Sequence, residues 1–314
     1  MATALGFSRV LLILVCTVSG CSGGDPSGEL TDTSTEALRS GPERRVDLEE
    51  SILVSVGDGT ILKFSAAGAS PTTFAQGLSS PLGLALDRFR NVYVADIGDD
   101  TVRRFSESGR DLGIFASAGL SEPTNLAFDA SGNLFVVNDG DNSIVKFSAA
   151  GKALGVVVSL LGRGCAAGLV FDRSGDLLVA DPCYSVVRKF SATGNDLGIF
   201  ASAGLSNPLA LLLEANGNLM VANSDNGGGF RNTIHEFSTT GADLGTFAST
   251  GLNFPSSLAF DASGDLLVTN EQQRPGSIDY AIQKLASDGA DLGEFAVLSD
   301  QPRYIVVVSS PRCR

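Results

Sequence analysis

The chain has 314 residues, 43% hydrophobic and only 18% charged, with 37 glycines, no tryptophan and one histidine. That composition excludes a disordered chain, and the length can bury a large core. Lys+Arg 22 against Asp+Glu 35 leaves −13; with no concentrated basic patch, nucleic acid is excluded as a partner, and one histidine disfavours chemistry that needs two or three.

Residues 1–20 read as a secretory leader. Arg9 precedes an apolar run from Val10 to Val15, too short to span a bilayer, and small residues follow it. Val18-Ser19-Gly20-Cys21 resembles the bacterial lipobox, and the resemblance implies cleavage before Cys21 and lipid attachment to it. Ser22 in the next position leans towards an outer membrane where the cell has one. Loss of Arg9 with the leader would leave the remainder at −14. The expected location is the bacterial cell envelope, lipid-anchored, or the extracellular space, where disulfides persist.

Residues 21–50 are rich in Ser, Gly, Asp, Glu, Thr and Pro without an apolar period, and read as a flexible tether with an end-to-end distance of roughly 30 Å.

From 51 to 314 the chain repeats itself. Phe-Ser recurs at Phe64, Phe105, Phe147, Phe190 and Phe237, with Leu285-Ala286 in the sixth place, at spacings of 41, 42, 43, 47 and 48 residues. Proline precedes a small apolar run at Pro81, Pro123, Pro208, Pro255 and Pro302, with Ala166 substituting once; an acid ends that run at Asp87, Asp129, Asp172, Glu214 and Asp261. Each unit holds four short runs, such as TNLAFD, NLFVVN, SIVKFS and KALGVVV, separated by Gly/Asn/Asp/Ser turns. These are the strands of an antiparallel meander, and their repetition predicts an all-β fold, a β-propeller of four-stranded antiparallel blades.

Five units are complete. Before Pro81 the chain offers three runs (SILVSV, TILKFS, PTTFA), and after Pro302 one (RYIVVVS). Three plus one makes a sixth blade, so the C-terminal strand is expected to complete the N-terminal blade and remove two open edges. Thirteen of the 18 phenylalanines fall in register with the repeat and are assigned to packing between blades.

The run P-x-x-L-A-F-D-x-x-G-N-L-x-V-x-N from Pro123 to Asn138, followed by V-x-K-F-S-x-x-G from Val145 to Gly151, resembles the NHL repeat over nearly all of residues 52–309. The resemblance implies a six-bladed scaffold that binds a protein or ligand. The wider group of similar propellers includes gluconolactonase and regucalcin hydrolases, peptidyl amidoglycolate lyases and seven-bladed streptogramin lyases.

In a blade, the loop entering the first strand and the loop joining the second and third lie on one face. Cys165 and Cys183 occupy those two loops of the third blade, so a disulfide between them is expected; no histidine neighbours either, which disfavours a thiol nucleophile. Cys313 falls at the opposite end of its strand and is expected unpaired, inert or linking chains. Asp96, Asn138, Asp181, Asn223 and Asn270 each end a second strand. Each can cap its own loop as an Asx turn; as a set they could instead ring the channel mouth with oxygens. Such a ring would suit Ca²⁺ or a basic partner, and Asp99, Asp100, Asp139, Asp141 and Asp225 add acid to that face. No cofactor is otherwise called for. The turn acids on the other face recur with the fold and read as turn formers. His235 reads as a surface histidine.

Two second-to-third-strand loops, in adjacent blades, carry five and six extra residues relative to the second unit. Neutral insertions and a specificity surface both fit; for the latter, Arg231, Glu271, Arg274 and Tyr280 are the contact candidates. Gluconolactonase-like enzymes hold a divalent metal through acidic and amide side chains one place after the proline-like position. Those positions here are Leu82, Thr124, Ala167, Leu209, Ser256 and Arg303, none a carboxylate; Asn125 and Glu122 would serve only under a shifted alignment. The lyases use histidines that the chain does not supply there. The resulting expectation is a non-catalytic, lipid-anchored, monomeric propeller with a metal-free channel, binding a protein or cell-envelope ligand through its loop-bearing face. A lactonase- or lyase-like enzyme with a divergent metal site is the alternative, and a spacer without a ligand a third.

Overall fold

The central run of each unit is apolar along its length (VYVAD, LFVVN, LLVAD, LMVAN, LLVTN) instead of alternating. Such a strand needs cover on both faces. The computed structural model, which describes residues 48–311 except 69, 161, 163, 225–231 and 272–279, provides that cover by setting blades side by side around an axis.

The first blade is β4 (Pro81–Leu86), β5 (Val92–Asp96), β6 (Thr101–Phe105) and β7 (Asp111–Ala116). The second is β8 (Pro123–Phe128), β9 (Leu134–Asn138), β10 (Ser143–Phe147) and β11 (Ala153–Ser159). The third is β12 (Leu169–Phe171), β13 (Leu177–Asp181), β14 (Val186–Phe190) and β15 (Asp196–Ala201). The fourth is β16 (Pro208–Leu213), β17 (Leu219–Asn223), β18 (Thr233–Phe237) and β19 (Asp243–Ala248). The fifth is β20 (Pro255–Phe260), β21 (Leu266–Asn270), β22 (Tyr280–Leu285) and β23 (Asp291–Leu298).

The sixth sheet has the order β24-β1-β2-β3, built from β1 (Leu48–Val56), β2 (Ile61–Ser65), β3 (Thr72–Ala75) and β24 (Pro302–Pro311). The two chain ends pair antiparallel, Ile52 opposite Val307 and Val54 opposite Ile305, so the three-plus-one closure is realised. Among the described residues, strand pairing runs from Leu48. The calls on the leader, on Cys21 and on Cys313 fall outside the described residues.

Packing between blades supplies the core. Ile52, Val54 and Phe64 meet Leu267 and Ile282 on one side of the closing blade, while Leu53 and Ile61 meet Leu84, Val94 and Phe105 on the other. The register phenylalanines Phe64, Phe147 and Phe237 are fully buried, each contributing on the order of 1.5–3 kcal/mol by transfer alone.

Turns between first and second strands form the lower face. There Asp129 accepts from the Ser131 and Asn133 amides at 2.9 and 2.8 Å, which lets Gly132 turn at φ +80°. Asp172 and Asp261 do the same and also receive Lys189 and Lys284, each at 2.7 Å. Burial works against the Asp172 charge, but the Lys189 ammonium and the turn amides outweigh it and lower the carboxyl pKa.

His235 corrects the sequence reading. It is 8% exposed, its Nε2 lies 3.2 Å from Asp243, and its ring lies against Phe237 and Gly204. In the first and third blades, Arg103 and Arg188 occupy that place and pair with Asp111 and Asp196. The imidazole is a shorter substitute, covered because Gly204 has no side chain to hold it off.

Candidate functional site: the channel mouth

The six first strands touch in turn around the ring and therefore line the axis. Most begin with proline, which suits an inner edge strand that needs no donor there. The following residue turns to the axis, and Leu82, Thr124, Ala167, Leu209, Ser256 and Arg303 meet at one cavity of about 310 Å³. The positions compared above with a metal-binding set are thus the channel liners. Among the described residues no group of three or more His, Cys, Asp or Glu is placed to hold a metal.

The wall is divided. The third and fourth blades present Ala166, Ala167, Pro182 and Leu209, with Leu82 from the first. The fifth and closing blades present Ser256, Glu271, Arg303 and Tyr304, and the second adds Thr124, Asn125 and Asp139. Arg303 donates to Ser80 Oγ at 2.7 Å, and Ser256 Oγ lies 2.9 Å from Thr269 Oγ1. The Glu271 backbone is fixed at both ends, its amide donating to Phe254 at 3.1 Å and its carbonyl accepting from Gln301 at 3.1 Å. Burial pushes the Glu271 carboxyl up to about 7, against a hydrogen bond from Ser256 and the Arg303 charge. The mouth therefore holds a fixed cation, an acid that exchanges its proton near neutrality, several hydrogen-bonding groups and an apolar wall. Such a site can hold a small ligand by a few hydrogen bonds among apolar contacts.

Cys165 and Cys183 form the expected disulfide, with Cα atoms 5.5 Å apart. It closes the third-blade wall, where β12 is cut to three residues and Gly168 lets the backbone approach the next blade: a Cβ there would lie 2.4 Å from the Leu209 carbonyl.

The strand-two residues do not ring the mouth. Asp96, Asn138, Asp181, Asn223 and Asn270 are 0–3% exposed, and each grips the loop that enters its own blade. Asp96 accepts from the Ser79 and Ser80 amides, Asn138 from Ser121, Asp181 from Cys165, Asn223 from Ser206 and Asn270 from Asn253. The three asparagines also donate to the carbonyls of Gly119, Gly204 and Gly251. They are clamps between loops; Asp181 also caps its own loop through the Tyr184 amide at 3.2 Å, and Asn223 donates across its own loop to Thr233 Oγ1 at 3.0 Å. With those oxygens turned into the loops, the residues present do not fit the Ca²⁺ ring.

Of the insertion residues, Arg231 and Arg274 lie outside the described residues, Tyr280 packs half-buried on the core beside the closing blade, and Glu271 reaches the mouth. The grouping of Glu271 with Arg303, and of Asn125 with Tyr304, was missed. Its only sequence signal was the place of Arg303, Asn125 and Tyr304 just after a blade-opening proline.

No protein-family model and no curated protein matches the sequence. Solved structures do match the fold. A chain of a nidogen/laminin complex aligns at TM-score 0.66 and 15% identity, over 82% of this chain and 98% of that one. A gluconolactonase from Xanthomonas campestris aligns at 0.61 and 18%, over 85% and 91%. A streptogramin B lyase aligns at 0.54 and 16%, over 77% and 72%. The fold is thus shared by a broad group of propellers that includes members of a binding complex and enzymes.

Proposed function

We propose that this chain is a non-catalytic, NHL-type binding propeller, held at the cell envelope by lipid on Cys21, that takes a protein or envelope ligand on its loop-bearing face at the channel mouth. One observation carries the reading: all six blade positions facing the axis converge on a single cavity, where apolar Leu82, Ala167 and Leu209 are interspersed with polar Thr124, Ser256 and Arg303, and no metal-holding group occurs among the described residues. The leader and Cys21 motif support the location. Capture from envelope extract tests it, comparing the native chain with a Leu209→Asp, Arg303→Ala double variant. A species retained by the native chain and lost from the variant supports the reading; equal retention by both counts against it.

A second reading, an enzyme of the lactonase or lyase kind, draws on the Glu271 carboxyl, whose raised pKa suits acid–base work. Turnover of a lactone that disappears in Glu271→Gln would favour it.

A further inference from the structure

We propose that the lower rim of the propeller is a lipid-docking surface, on which five exposed leucines and Phe89 rest against the bilayer and turn the channel mouth outward. The inference rests on the anchored reading above for what keeps the domain near the bilayer. The contact surface itself is read from the propeller alone.

The outermost strands repeat Asp-Leu-Gly or a close relative, and their register is identical in five blades. The residue before each leucine pairs with the large apolar residue of strand three: Asp111 with Phe105, Ala153 with Phe147, Asp196 with Phe190, Asp243 with Phe237 and Asp291 with Leu285. Leu112, Leu154, Leu197, Leu244 and Leu292 therefore stand at one height around the lower edge. They are 37–54% exposed. Scattered exposed leucines need no explanation, but five in the same register form a crown. A crown that runs around most of a disc fits a broad, flat, apolar-backed partner better than a compact one.

The first blade adds a projecting turn. Where sister turns have Gly132, Gly175, Gly217 and Gly264, this one has Arg90, held at φ +64°. Phe89 at its tip is 66% exposed, with the Arg88 guanidinium 4.8 Å above its ring. Nearby, Lys63 lines a cavity together with Arg90, Glu49 and Glu107. An aromatic ring with the Arg88 guanidinium over its face suits the headgroup boundary of a bilayer, while Arg90 is paired with Glu107 at 3.1 Å.

Chain entry agrees with this placement. Residues 1–47 lead into Leu48, which pairs with Pro311 at the lower end of the closing blade. The opposite face carries Asp58, Asp99, Asp100, Asp139, Asp141 and Asp300, with Arg303 as its cation among the described residues. Acids also flank the crown at Asp111, Asp196, Asp243 and Asp291, so apolar contact and chain entry, and not charge, set the orientation.

Flotation on phosphatidylethanolamine–phosphatidylglycerol vesicles tests the surface. Two full-length chains are compared, both carrying Cys21→Ala so that no covalent lipid contributes and any pull from the leader is common to both. One keeps the rim; the other has Leu112→Ser, Leu154→Ser, Leu197→Ser and Phe89→Ser. These side chains are exposed, and matching melting temperatures would show that both chains fold. The rim variant is expected to partition about tenfold more weakly, given the apolar area removed. Equal partition, or no partition by either, overturns the proposal. So does a rim-dependent dimer seen by light scattering without vesicles, which would assign the crown to self-association. The mass of Cys21 in the native chain reports on the anchor separately: an unmodified Cys21 with rim-dependent flotation would remove the anchor and leave the docking surface standing.

Discussion

The Tyr304 hydroxyl lies 3.4 Å from Asn125 Oδ1, although 179 residues separate them. Tyr304 belongs to the closing strand β24 and Asn125 to β8, so the contact passes over the intervening β4. Gly83 holds the equivalent place in β4 and has no side chain to stand between them. A Cβ at Gly83 would lie 2.6 Å from the Thr124 carbonyl oxygen and 2.9 Å from the Asn125 Cα. The C-terminal strand is thereby tied to the second blade across the floor of the channel mouth.

Tyr304→Phe removes that bond while keeping the ring. The expected loss is about 1 kcal/mol, read as a fall in melting temperature of roughly 2–4 °C for a domain of this size. An unchanged melting temperature would show that the hydroxyl contributes nothing to closure.

Gly83→Ala brings backbone against backbone, where neither strand can yield alone. A cost of about 1–3 kcal/mol is expected, with the larger share appearing as faster unfolding if closure forms late. Denaturant unfolding measures it, and a neutral alanine would mean that β4 and β8 stand further apart than described.

Removing the disulfide as Cys165→Ala, Cys183→Ala should lower stability by about 3 kcal/mol, from the 18-residue separation that it spans. The third-blade wall of the cavity should loosen with it. Hydrogen exchange at Ala167 and Ala180, whose backbones are bonded at 3.0 Å, is the local readout, and unchanged exchange there would confine the effect to the unfolded chain.

Glu271 makes stability depend on pH in a defined direction. Its carboxyl is raised from 4.5 to about 7, so the folded chain binds the proton more tightly than the unfolded one. The resulting stability is fully present below pH 4.5 and is lost as pH rises through 7. A shift of that size corresponds to about 3 kcal/mol. Glu271→Gln should flatten the stability profile between those limits and leave the variant the more stable chain at pH 8. Parallel profiles for the two chains would contradict the burial of this carboxyl.

Much of the fold is legible in the sequence because each blade repeats the same local problem. An apolar central run needs cover on two faces, and turn acids such as Asp129 recur at one offset from it. The Cys165–Cys183 bridge was legible for the same reason, since strand order alone sets both loops on one face. His235 was not: its burial depends on Gly204 in the preceding loop, a partner that no local pattern reveals. The strand-two asparagines misled because a polar residue at a strand end looks alike whether it caps a loop or faces a channel. The mouth was least legible of all, since Glu271, Arg303, Tyr304 and Asn125 come together only when the ring has closed.

The most direct test of the binding account is the mass of what the channel mouth releases. A species retained from envelope extract by the native chain, eluted and weighed, is expected to match its own mass before exposure to the protein, and to be absent from the Leu209→Asp, Arg303→Ala eluate. Release of a chemically altered species, with the alteration abolished by Glu271→Gln, would contradict the account and make the mouth an active site.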